Sequence, residues 1–213
     1  MKGILTVDGK KESEKIIERS RFLTYSAHVE SEEQARALIA EIRSAHPFAS
    51  HVCFAFVADK TGNLQRFSDD GEPQGTAGVP ILDVIKNKNL RETLVVVVRY
   101  FGGVKLGAGG LVRAYSSCAS ENLAASKIAF LEMCRELQIQ VEYTGIDSLQ
   151  KYLSSKPCVP LLTDYGEKVT ATVAVKSSEE EVFVNALVDF MQGRVEIEKR
   201  DEYYRAFPVD NSA

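Results

Sequence analysis

The chain has 213 residues, 45% hydrophobic and 26% charged, with a net charge of −4, the balance of an ordinary globular protein. No apolar run approaches the ~18 residues of a membrane helix, and the N-terminus turns polar within a dozen residues, unlike a signal peptide. The four cysteines, Cys53, Cys118, Cys134 and Cys158, have neither zinc-ligand spacing nor the density of a disulfide framework, so a reducing cytoplasm is the expected compartment.

Residues 4–7 read as a strand that ends at Asp8-Gly9, a hairpin signal, with strands to follow over 11–18 and 21–29. Ser31 with Gln34 three residues on is a capping-box pattern. It opens a helix whose buried stripe is Ala35, Leu38, Ile39 and Ile42, and His46-Pro47 ends it. Residues 52–57 are a wholly apolar strand.

Residues 60–78, KTGNLQRFSDDGEPQGTAG, form a long polar loop of the kind that often carries function. Asp69, Asp70 and Glu72 place three carboxylates within four residues. They suit Mg²⁺ or acid–base work, with His51 as a neighbour in space. A turn built from Asp-Gly and Glu-Pro explains them as readily, and is the favoured reading. A short helix follows over 79–89.

The run from Leu94 to Val98 reads as a strand buried on both faces. After it comes RYFGGVKLGAGG over 99–110, then a helix over 111–126 with Val112, Tyr115, Ala119 and Leu123 on one stripe. Glycine permits positive φ and close approach, and a helix start offers free N–H groups to anions. Two readings stand side by side. In one, Arg99, Gly102, Gly103, Lys105, Gly107, Gly109 and Arg113 form a site for phosphate, carboxylate or nucleic-acid backbone. In the other, the glycines serve a tight connection with solvated basic residues around it, and Arg99, following a buried strand, pairs with Asp69 or Asp70 and holds the loop in place. The stretch fits neither the P-loop nor the dinucleotide fingerprint: Ala108 follows Gly107, and Val112 stands where a third small residue belongs.

Several motifs together resemble the signature of the IMPACT family, in its two-domain bacterial form. They are His51 with Cys53, Asp69-Asp70-Gly71-Glu72-Pro73, Gly75-Thr76-Ala77-Gly78, and the run from Ile81-Leu82 through Arg99-Tyr100-Phe101-Gly102-Gly103 to Leu106-Gly107. The resemblance is strong over about residues 1–130. It implies an N-terminal α/β domain similar to domain IV of elongation factor G, a fold shared with small-molecule kinases that hold phosphate at a glycine-rich loop. Eukaryotic relatives regulate translation under amino-acid starvation, so the implied partners are the ribosome, RNA or a translation factor, with no membrane and no DNA specificity.

The second half reads as its own unit. A half-buried strand over 137–143 leads to a helix capped by Thr144 and carrying Ile146, Leu149 and Leu153. Strands over 159–163 and 169–175 follow. Ser178 with Glu181 opens a helix with Phe183, Leu187 and Phe190 inside and Gly193 at its end, and a last strand covers 195–207. This β-α-β-β-α-β order is that of a ferredoxin-like sandwich.

The fold expected is therefore α/β in the broad sense (α+β), with an N-terminal domain over 1–132 and a ferredoxin-like domain over 133–213. Residues 1–132 hold 17 Lys+Arg against 16 Asp+Glu, and residues 133–213 hold 9 against 14. The acidic second domain is a poor nucleic-acid surface, so any RNA contact belongs to the first. The function expected is a non-enzymatic, translation-associated binding protein without a cofactor. The alternative is an enzyme or ligand-binding protein with a phosphorylated ligand at the glycine loop and Mg²⁺ on the carboxylates. No nucleophile–base motif is visible, although triads assemble in space.

Overall fold

The computed structural model describes residues 3–208, a mixed α+β chain with two sheets and five α-helices among those residues. It divides into two compact units, one over 4–130 and one over 131–206.

In the first unit, β2 (Lys10–Ile17), β3 (Ser20–His28), β6 (Thr93–Tyr100), β4 (His51–Val57) and β5 (Gln65–Ser68) form a sheet in the order β2-β3-β6-β4-β5. Every neighbouring pair in it is antiparallel. β6 is the central strand, and its side chains alternate between two cores. Leu94, Val96 and Val98 pack with α1 (Glu32–Ala45), while Val95 and Val97 pack with α2 (Gly78–Asn87) and α3 (Gly107–Ala124). Helices on both faces explain why this strand is an unbroken apolar run rather than an alternating one.

Local chemistry sets the start of α1. Ser31 Oγ accepts from the Gln34 N–H at 3.2 Å, and the Gln34 side chain accepts from the Glu30 N–H at 2.8 Å, so the start of α1 is capped from both directions. The Asp8-Gly9 hairpin does not form. β1 (Ile4–Val7) pairs with β7 (Ile128–Val141), in the other sheet. The hairpin is instead β2–β3, closed by Glu18 and Arg19 at φ 44° and 66°, the two-residue geometry that normally selects Asn-Gly. β5 lies inside the stretch read as irregular loop.

α3 begins at Gly107, so Gly107, Gly109 and Gly110 form its first turn rather than the turn before it. Its buried face is Leu111, Ala114, Tyr115, Cys118, Ala119, Asn122 and Leu123; Val112 is 38% exposed and lies off that stripe.

In the second unit the order is β7, α4 (Ile146–Ser154), β8 (Cys158–Tyr165), β9 (Val169–Lys176), α5 (Glu180–Phe190) and β10 (Glu196–Pro208). β9 lies between β7 and β8, antiparallel to both, and β10 also pairs with β7. The core gathers Leu137, Ile139, Leu149, Tyr152, Val173, Phe183 and Leu187. Thr144 and Ser178 do not cap: the N-caps are Gly145 and Glu179, without side-chain bonds. Phe190 is 47% exposed, and Met191 takes the buried position.

Candidate functional site

β6 ends by delivering Arg99 into the protein. Its side chain is 5% exposed, and Nη1 donates to Glu72 Oε1 at 2.7 Å. The same oxygen accepts from the Tyr115 hydroxyl of α3 at 2.7 Å, and Arg99 Nη2 donates to Ser20 Oγ at 3.2 Å. The guanidinium lies 5.4 Å from the ring centroids of both Phe22 and Phe101, within cation–π range. Arg99 therefore does not belong to an exposed contact surface. It ties the acidic loop, the start of β3 and, through Glu72, α3 into one buried network.

The three carboxylates of that loop have separate structural duties. Asp69 accepts from the N–H groups of Gly75 (2.8 Å), Ala77 (3.0 Å) and Gly78 (2.8 Å), clasping the start of α2. Burial opposes the Asp69 charge, but the N–H groups of Gly75, Gly78 and Ala77 outweigh it and hold the pKa below the ordinary 3.8. Asp70 accepts from the Val52 N–H at 2.6 Å and pairs with Arg43 at 2.8 Å. His51 donates through Nδ1 to the Asp70 carbonyl at 2.9 Å, and its Nε2 is 3.9 Å from Glu72 Oε2. His51, Asp69, Asp70 and Glu72 are thus neighbours, but each carboxylate faces different protein partners. They form no metal-capable cluster among the described residues.

Behind them, Cys53 Sγ lies 3.0 Å from the Asp69 carbonyl and 3.4 Å from the Tyr115 hydroxyl. Burial pushes the Cys53 thiol up to about 12 and raises the Tyr115 phenol far above its ordinary value. Both shifts disfavour the ionised forms of these two groups near neutrality.

The glycine stretch divides by role. A Cβ on Gly102 would stand 1.9 Å from the Arg19 carbonyl oxygen, so this glycine is required by the hairpin that crosses it. Gly103 and Gly107 have φ of +84° and +68°. Gly109 is exposed in the first turn of α3. Leu106, the N-cap of α3, makes no side-chain cap bond, which leaves the first N–H groups without that partner.

Around this helix start lies a groove of about 570 Å³ whose lining includes Lys15, Glu18, Lys105, Leu106, Arg113 and Ser117, three cations against one carboxylate. Lys105 and Arg113 are both exposed, and neither has an acidic partner among the described residues. Lys15 pairs with Glu121. Arg113 Nη1 is 3.7 Å from the place a Gly109 Cβ would occupy, so its charge lies back along the first turn.

The seven residues read as one anion site therefore separate. Lys105, Gly107, Gly109 and Arg113 surround the helix start, with Gly103 in the loop before it. Arg99 and Gly102 are scaffold. Sequence reasoning missed two participants. Lys15 reaches the groove from β2, which no local pattern signals. Phe101 is 48% exposed beside the Arg99 guanidinium; its signal was an aromatic residue directly before a glycine pair.

Two family models match the chain: "Impact N-terminal domain" over residues 18–123 and "Domain of unknown function (DUF1949)" over 139–194. The chain is 35% identical over 199 residues to "IMPACT family member YvyE" of Bacillus subtilis, covering 93% of this chain and 92% of that protein. It is 36% identical over 183 residues to "IMPACT family member YigZ" of Escherichia coli, covering 85% and 90%. Similarity to "Protein IMPACT" of Mus musculus is 35% over 94 residues, covering 42% of this chain and 29% of that one. A solved structure titled "Crystal structure of an hypothetical protein" superposes with a TM-score of 0.62 at 32% identity, covering 94% of this chain and 98% of that one.

Proposed function

This chain belongs to the IMPACT family, and from that premise we propose that it is a non-enzymatic, translation-associated binding protein of the cytoplasm whose first unit engages ribosome, RNA or a translation factor. One observation carries the reading: Lys105 and Arg113, exposed and without acidic partners, flank an uncapped helix start. A helix N-terminus holds roughly +0.5 of an elementary charge. Two exposed cations beside it make a surface complementary to a phosphate backbone. Phe101 adds an exposed ring in the same loop, suited to base stacking or to an apolar contact. The family resemblance supplies the translational setting, and the surface supplies the chemistry. The ferredoxin-like reading of the second unit belongs to the same proposal, and its β-α-β-β-α-β order supports it. No helix among the described residues is long and apolar enough to cross a membrane.

The groove favours a second reading, a small phosphorylated ligand held by the same cations. The loop carboxylates play no part in either reading, because protein groups already occupy them.

The test is binding of Lys105→Ala and Arg113→Ala to purified ribosomes and to RNA across a salt series, with melting temperatures checked. Each lost cation should reduce the slope of log K against log salt by roughly 0.7–0.9. If a small phosphate ester displaces RNA competitively, the second reading gains. If both variants retain the wild-type affinity and slope, this surface is not the contact.

A further inference from the structure

Away from the glycine surface, the end of β3 and the residue before β6 bring together three ligating side chains. His28 Nε2 is 3.3 Å from Glu30 Oε1 and 3.9 Å from Glu92 Oε2, and the three atoms all lie within 4.8 Å of one another. The Glu92 side chain is 2% exposed. Its Oε1 meets the Lys60 ammonium at 2.9 Å, but Oε2 has no hydrogen-bond partner. A buried carboxylate oxygen without a donor is costly. Glu92 also holds φ at +48°, a conformation that side chains of L-residues rarely adopt. Two unfavourable features at one residue mark a place where something offsets them.

The neighbours fix which histidine nitrogen faces the carboxylates. Thr6 Oγ1 donates to the Glu92 carbonyl at 3.1 Å, so its only hydrogen is used. At 2.9 Å from His28 Nδ1, that oxygen accepts from the Nδ1–H. In neutral His28 the lone pair is then on Nε2, aimed at two carboxylate oxygens. This is the arrangement in which an outer hydroxyl sets the tautomer of a metal-bound histidine. The Lys60 ammonium meets Glu92 Oε1, and no hydrogen-bond donor among the described residues satisfies Oε2.

We propose that His28, Glu30 and Glu92 bind a divalent zinc-type cation. Zinc bonds of about 2.0–2.2 Å put neighbouring ligand atoms of a tetrahedron roughly 3.4 Å apart. The His28–Glu30 separation of 3.3 Å already matches. The His28–Glu92 separation closes by a few tenths of an ångström. Glu30, at 60% exposure, leaves the fourth position open to solvent. An imidazole in the donor set favours zinc over magnesium or calcium, which take oxygen ligands. Lys60 neutralises Oε1 and leaves Oε2 for the metal.

The experiment uses the full-length, tag-free chain, stripped by a chelator and titrated with Zn²⁺ and, separately, Mg²⁺. One Zn²⁺ per chain should bind and raise the melting temperature by roughly 5–10 °C at a hundredfold excess over Kd; Mg²⁺ at the same concentration should not. His28→Gln and Glu92→Gln should each weaken binding at least tenfold. Glu30→Gln, at an exposed position, keeps the test valid if either buried variant folds poorly. Co²⁺ in place of Zn²⁺ should give visible d–d bands without a thiolate charge-transfer band, separating this site from the cysteines. Absence of Zn²⁺ heat and melting shift, a thiolate band, or undiminished binding in Glu30→Gln would overturn the proposal. So would a His28 ring that NMR shows doubly protonated in excess Zn²⁺, because Nε2 would then carry a proton in place of the metal.

Discussion

Arg99 and Glu72 are 27 positions apart in sequence and 2.7 Å apart in the fold. Both side chains are almost fully buried, and Tyr115 donates to the oxygen they share. Removing one member of such a pair leaves the other charge buried without compensation. Glu72→Gln and Arg99→Met should each lower stability by about 3–5 kcal/mol. The double variant should cost less than the two singles together. Urea unfolding with an unchanged m-value reads this directly; equal costs that simply add would mean the pair is not coupled.

Asp69 predicts the acid limb of stability. Its folded-state pKa lies below the unfolded value, so the unfolded chain binds the proton more readily. The stabilisation is then fully present above the ordinary pKa of about 4 and declines as pH falls through the depressed folded value. Asp69→Asn should be less stable than wild type at pH 7. The gap should narrow as pH falls below 4. A constant gap between pH 7 and pH 2 would assign the acid sensitivity to other carboxylates.

Gly102 and Gly103 separate crowding from backbone conformation. In Gly102→Ala the new methyl meets the Arg19 backbone, so the hairpin must shift, at a cost of about 1–3 kcal/mol as in overpacked cores. Gly103 has open space around it and a positive φ, so Gly103→Ala should cost only the left-handed penalty of about 1–2 kcal/mol. Chemical denaturation ranks them. The two also differ in what they do to the proposed contact surface: Gly103→Ala should leave Lys105 in place, whereas Gly102→Ala should disturb the loop that carries it.

The thiols should differ in reactivity. Burial raises Cys53 to about 12 and Cys118 to about 11, and it also raises Cys134 and Cys158. Cys158 alone among the four is not fully buried. Timed alkylation at pH 8 followed by mass mapping should label Cys158 first, with Cys53 and Cys118 modified only on unfolding. Early modification of Cys53 would reopen a chemical role for it.

The elements readable from sequence are those whose signals lie within a few residues. Leu94 to Val98 announced a strand covered on both faces, and Ser31 with Gln34 announced the start of α1, because burial pattern and capping act locally. Lys105 and Arg113 were also legible as surface cations beside a glycine-rich helix start. The partner of Arg99 was legible only as far as the loop: the sequence offered Asp69 or Asp70, and the fold selects Glu72, with Ser20 added from 79 positions away. Only the folded chain decides which of the three loop carboxylates meets it. The same holds for Asp8-Gly9, whose turn chemistry is a hairpin's. Strand partnership is settled by which edge is free, and β1 found its edge on β7. Glu92 shows the limit most plainly. Nothing in its sequence neighbourhood, Leu90-Arg91-Glu92-Thr93, marks a buried acid; its place beside His28 and Thr6 exists only where strands distant in sequence meet.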